Sequence, residues 1–146
     1  MLAESYLYRL DPFIFQVTET IGLRWYGVAY IAGFLTAWFA LRWMSRVKFS
    51  SLQTDRAGDL VFACVLGVLI GGRLGYGLFY DPSMFISFTS DFPWWEAISI
   101  HHGGMSSHGG ILGVLAVFVV WGRKNKIPQL HLFDIGSVCT IPGLFY

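Results

Sequence analysis

Charge is scarce in this chain: ten lysines and arginines and nine aspartates and glutamates stand among 146 residues. A soluble domain usually carries about a quarter charged residues. With 55% hydrophobic and 18% aromatic residues, a chain this short cannot hide its apolar surface in a core of its own. The scarcity excludes an ordinary soluble domain and points to the lipid bilayer. A formal net charge of +1, without a basic cluster interleaved with aromatics, gives no reason to expect a nucleic-acid partner. Cysteine is nearly missing too. Cys64 and Cys139 both lie inside apolar runs, where a thiol behaves as a small packing residue, so no disulfide framework is expected. Bases are missing from Met1-Leu2-Ala3-Glu4-Ser5-Tyr6, where a signal peptide would need them, so no targeting peptide is read.

What is present is length of apolar sequence. Residues 1–21 mix Glu4, Arg9, Asp11 and Glu19 with Tyr6, Tyr8, Phe13, Ile14 and Phe15, a pattern suited to a segment lying on the membrane surface. Residues 23–41 are almost wholly apolar and long enough to span, with Trp25, Tyr26, Tyr30, Trp38 and Trp43 as interface anchors. A polar connection follows, in which Thr54-Asp55 is expected to cap the next helix. The second span covers residues 57–80, where Gly67, Gly71 and Gly75 recur every fourth position and offer a face for close helix packing. Residues 81–100 hold Phe85, Phe88, Phe92, Trp94 and Trp95 but no base, as expected of an arm dipping into lipid. A third span covers residues 108–121, and a fourth apolar run begins near Leu130. The expected fold is all-α: a polytopic membrane protein, a helical bundle with three complete spans, a fourth incomplete span and interfacial amphipathic segments. Residues 1–146 form one membrane-embedded domain.

Loop charge orients this bundle. Seven of the ten bases, Arg42, Arg46, Lys48, Arg56, Arg123, Lys124 and Lys126, fall after the first and third spans, and none falls between the second and third. The positive-inside rule then places the N-terminus and residues 81–108 outside. Arg24, Tyr26, Arg73 and His108 are thereby expected near one outer depth.

The densest polar signal is His101-His102-Gly103-Gly104-Met105-Ser106-Ser107-His108-Gly109-Gly110. A single histidine at a helix end is commonly a polar anchor. Two glycine pairs flanking it instead suggest backbone brought close to a ligand or another helix, with His108 in the first turn of a helix beginning near Gly109. No acid or cysteine joins His101 and His102, so no metal is expected. Arg73 lies roughly 20 Å along the helix from Leu60, too deep for easy snorkelling from the inner side. Its guanidinium is matched to phosphate; the alternatives are snorkelling to outer headgroups or pairing with Asp134.

The runs Arg24-Trp25-Tyr26-Gly27, Gly71-Gly72-Arg73-Leu74-Gly75-Tyr76 and Gly103-Gly104-Met105-Ser106-Ser107-His108-Gly109-Gly110 resemble the phosphatidylglycerol–prolipoprotein diacylglyceryl transferases. The resemblance runs from about Asp11 to the last residue. It implies transfer of a diacylglyceryl group from phosphatidylglycerol to the lipobox cysteine in the signal peptide of a prolipoprotein. This would take place at the outer face of the bacterial cytoplasmic (inner) membrane, without a cofactor. His108 matches the essential histidine, Tyr26 a tyrosine near the headgroup, Arg73 the arginine of the second span, and Asp134 an acid opening the fourth. Arg73, Arg24, Gly104, Ser106 and Gly109 are the expected headgroup contacts; Gly71, Gly75 and Asp134 are structural. The family continues past Tyr146 into a signature rich in arginine, asparagine and glutamate, so this chain is expected to be the N-terminal part of a longer transferase and incomplete alone.

The chemistry suits those residues. A thiol attacking a glyceryl carbon needs a base, and the departing phosphate needs cations or donors. Two other classes stand beside this one: a non-catalytic membrane packing or assembly subunit, and an intramembrane serine hydrolase using Ser106 or Ser107 with His108. The hydrolase lacks a strained glycine-serine-glycine elbow.

Overall fold

The computed structural model describes residues 13–16, 22–90, 93–100 and 103–143. It begins with a small antiparallel hairpin of β1 (Phe13–Gln16) and β2 (Gly22–Arg24), in which Phe15 pairs with Leu23 and Gln16 with Gly22. Four helices follow: α1 (Trp25–Arg46), α2 (Arg56–Phe79), α3 (Ser107–Asn125) and α4 (Gln129–Gly143). Two short 3-10 turns, Pro82–Phe85 and Glu96–Ile98, lie between α2 and α3.

The fold is predominantly helical, as expected, with this short hairpin added ahead of the first long helix. Leu23 and Arg24 belong to β2, so the first long helix starts at Trp25 and runs on to Arg46. The expected surface segment falls on residues that, apart from Phe13–Gln16, lie outside the described ones. Among the described residues, two stretches are long and apolar enough to cross a membrane, Gly27–Arg46 and Arg56–Phe79; α3 has 19 residues and α4 has 15.

Glycine decides how the helices meet. A Cβ on Gly71 or Gly113 would come down on the backbone of the facing helix, at the Gly109 carbonyl and the Gly67 carbonyl respectively. The fourfold spacing of Gly67, Gly71 and Gly75 thus gives α2 a bare stripe, onto which Gly109 and Gly113 of α3 settle backbone to backbone, as small-residue interfaces do in lipid. α1 packs more extensively on α4 than on α2. Leu41, Met44, Leu60, Phe118, Leu132 and Ile135 are buried together towards the end carrying the basic loops.

Two local details differ from expectation. Asp55 precedes α2 in a helical conformation and makes no side-chain cap; the helix starts instead from a turn in which the Arg56 amide donates to the Gln53 carbonyl at 2.9 Å. His131 of α4, which no motif singled out, accepts at Nε2 from the Ser51 amide at 3.2 Å and meets Ser50 Oγ at 2.9 Å. This ties α4 to the loop joining α1 and α2.

Candidate functional site

The glycine-rich loop before α3 is built on α2. Gly103 and Gly104 adopt φ of +89° and +76°, a left-handed conformation that costs glycine little and other residues more. Two consecutive positive φ values turn the chain sharply. Ser106 then caps α3: its Oγ accepts from the Gly109 amide at 3.3 Å, in the usual manner of an N-cap serine. The Ser106 amide donates to the Gly72 carbonyl at 2.9 Å, and a Cβ on Gly72 would stand 2.8 Å from Met105 Cε. The helix therefore begins at Ser107, two residues before the expected Gly109, and His108 is its second residue.

Arg73 lies beneath this loop, only 7% exposed. Its Nε donates to the Ala97 carbonyl at 3.0 Å, its Nη1 to the carbonyls of Gly103 at 2.5 Å and Gly104 at 2.9 Å, and its Nη2 to the carbonyl of Glu96. The alternative pairing with Asp134 is not formed. Asp134 is exposed on α4, about 8 Å from the start of that helix at the basic end, whereas Arg73 lies about 26 Å along α2 from the same end.

His108 points elsewhere. Its side chain is exposed and stands at the head of Ile111, Leu112 and Leu115, which are 60%, 60% and 41% exposed. The spacing of three, four and seven residues puts all four on one face of α3, while Gly109 and Gly113 face α2. The structure thus brings Arg73, Gly104, Ser106, Gly109, Gly71 and Gly75 into one packed unit and holds His108 on its rim. Arg24 ends β2 and Tyr26 lies in the first turn of α1, but their side chains are outside what is described, as are His101 and His102 altogether. Ser106 is buried and occupied as a cap, which argues against it as a hydrolase nucleophile.

Beyond His108, the arm of residues 81–100 is held by a bridge between Phe88 and Trp95 and by Trp95 Nε1 donating to the Phe85 carbonyl at 3.0 Å. It leaves Ile86 and Phe88 nearly uncovered, at 79% and 77%. Deeper in the bundle, an apolar cavity of about 440 Å³ lies among all four helices, lined by Tyr30, Phe34, Cys64, Phe118, Ile135 and Cys139 among others. Among the described side chains, none of the expected site residues lines it. Both cysteines are free thiols.

Comparison with known proteins agrees with the motif reading. The family model described as prolipoprotein diacylglyceryl transferase matches residues 12–146. Proteins named phosphatidylglycerol–prolipoprotein diacylglyceryl transferase are 38% identical over 136 residues in Bdellovibrio bacteriovorus, 38% over 143 in Nitratidesulfovibrio vulgaris and 39% over 135 in Geobacter sulfurreducens. These matches take in 92–94% of this chain but 39%, 50% and 50% of the respective relatives, so the chain spans half their length or less. With a family match over nearly all of its residues and two helices apolar enough to cross a bilayer, this is a membrane protein that belongs to the prolipoprotein diacylglyceryl transferase family.

Proposed function

We propose that this chain carries part of the active site that moves a diacylglyceryl group from phosphatidylglycerol to the lipobox cysteine thiol of a prolipoprotein. The observation that carries the reading is His108 at the head of the exposed stripe Ile111, Leu112 and Leu115. A titratable ring above an apolar track has the polarity profile of a phospholipid, headgroup at the ring and acyl chains along the helix. His108 takes the proton from the thiol. The sulfur attacks the glyceryl carbon next to the phosphate, a C–S bond forms, and the C–O bond breaks with its electron pair leaving on glycerol phosphate. Arg24 and Tyr26, where β2 passes into α1, are the candidates for charge and hydrogen bonding to that leaving group. Gly104, Ser106 and Gly109 contribute by shaping the backbone around the headgroup.

The same reading places the protein in the bacterial inner membrane with three complete spans, α4 as a further membrane segment and His108 on the periplasmic side. Charge supports it, since Arg42, Arg46, Lys48, Arg56, Arg123, Lys124 and Lys126 gather at the helix ends and connections where α1 meets α2 and α3 meets α4. The topology has a direct test. Cysteines introduced at Ser51 and Ser90, both exposed, are expected to react with a membrane-impermeant maleimide in intact cells at Ser90 only. Labelling at Ser51 alone reverses the orientation and ends the model.

The reaction is tested in vesicles. A lipobox peptide mixed with a full-length protein that contains this chain, in phosphatidylglycerol vesicles, is expected to gain the mass of a diacylglyceryl group. In phosphatidylcholine vesicles it should gain none. Absence of the mass gain in phosphatidylglycerol removes the proposal.

A further inference from the structure

We propose that Arg73 is a positioning residue, which holds the Gly103–Gly104 turn and through it sets the N-terminus of α3 and His108, instead of gripping the lipid phosphate. The inference rests on the reading of His108 as the base. The first ground is a count of donors. A guanidinium has five N–H groups, and four of them are taken: Nε by Ala97, Nη2 once by Glu96, and both of Nη1 by Gly103 and Gly104. A two-pronged grip on phosphate needs two free N–H groups along one edge of the fork. Neither edge has them, since each includes Nε or Nη1.

The second ground is where the partners lie in the chain. Glu96 and Ala97 precede residues 98–102, and Gly103 and Gly104 follow them, so one side chain pins both ends of the segment that contains His101 and His102. The fit is close on the glycine side: a Cβ on Gly104 would stand 2.7 Å from Arg73 Nη1 and 2.7 Å from Tyr76 Cε1. Both the left-handed backbone and the approach of the guanidinium therefore call for glycine there.

The third ground is what the turn leads to. Two residues on, the Ser106 amide reaches back to the carbonyl of Gly72, the neighbour of Arg73 on α2, and Ser106 caps the helix on which His108 is the second residue. α2 thereby fixes the loop twice, once through a side chain and once through a carbonyl. A lysine at position 73 keeps the charge, but a single nitrogen cannot reach both ends of the loop.

The test compares Arg73→Lys, Gly104→Ala and the double variant of a full-length protein that contains this chain in phosphatidylglycerol vesicles, reading transfer kinetics and hydrogen–deuterium exchange. If Arg73 positions, each single variant lowers kcat by about 10- to 100-fold, as small displacements of a reacting group do. KM for phosphatidylglycerol stays within about threefold, because ground-state binding is not what was removed. The double variant falls no further than either single one, since both changes break the same contact. Exchange of the peptide covering residues 103–110 speeds up while peptides from α1 and α4 keep parental rates. The proposal is overturned if Arg73→Lys raises KM with kcat and exchange unchanged, which is the behaviour of a phosphate ligand. It is equally overturned if exchange rises throughout the bundle, which would make Arg73 a residue of the fold at large. Should the parent itself transfer nothing, the proposed reaction fails, and exchange at residues 103–110 alone decides whether Arg73 holds the turn.

Discussion

In a full-length protein that contains this chain, replacing His108 by asparagine is expected to abolish the proposed diacylglyceryl transfer while leaving thermal stability and phosphatidylglycerol binding nearly at parental values. Asparagine keeps a polar, hydrogen-bonding side chain of approximate size but has no nitrogen that titrates. Loss of a general base costs about 10²–10⁴ in rate. The structure gives the variant little reason to unfold, because the side chain is exposed and the neighbouring packing is made by Gly109 and Gly113. His101→Asn and His102→Asn should be far milder. The measurement is single-turnover transfer to a lipobox peptide alongside thermal unfolding in the same detergent. Near-parental transfer by His108→Asn, or loss that follows unfolding, reduces His108 to an end-of-helix polar residue.

The second large effect is on stability. Gly113→Ala is expected to destabilise the bundle by about 1–3 kcal/mol or more, the usual cost of overfilling a packed interface. The new Cβ would land on the Gly67 carbonyl and stand 3.2 Å from Gly71 Cα. Backbone cannot swing aside as a side chain does, so α2 and α3 must separate. Gly33→Ala in α1 is the control, with nothing within 4 Å of its Cβ. There alanine should be neutral or stabilising by up to about 1 kcal/mol, through helix propensity alone. Equal unfolding midpoints for the two variants would mean that the glycine stripe of α2 is not what binds α3.

These cases separate what could be read along the chain from what could not. The helices and the glycine stripe were legible because each leaves a period in the sequence: long apolar runs, and a small residue every fourth position. Boundaries were less so. α1 began later than its apolar run because Leu23 and Arg24 pair with Phe13–Gln16, and short strands in an apolar context carry no pattern distinct from a helix. At α3 the cap was Ser106, a residue type that announces helix starts, but its neighbours Ser107 and His108 drew the expected start two positions on. Arg73 was recognisable as a costly residue at that depth. What it touches was not, because its partners are carbonyls, which every residue has and no letter of the sequence marks. His131 went unread for a related reason: its partners, Ser50 and Ser51, lie 81 and 80 residues away. A polar residue near each of two helix ends was the available signal.

The uneven pairing of the helices has a consequence for how the chain assembles. α2 and α3 are successive in sequence and form the closest pair, so they can join as a hairpin as soon as both have been made. α1 is made before the other three, yet its main partner is α4, the last helix described, and the His131 contact that ties α4 to the α1–α2 loop also waits for it. Until α4 arrives, Leu41 and Met44 lack the Leu132 and Ile135 side chains with which they are buried in the finished bundle. Such distant pairings form slowly because a long loop must close before any contact rewards it. Docking therefore cannot follow the order of synthesis: of the four helices, α1, made before the others, would be among the last to find its place.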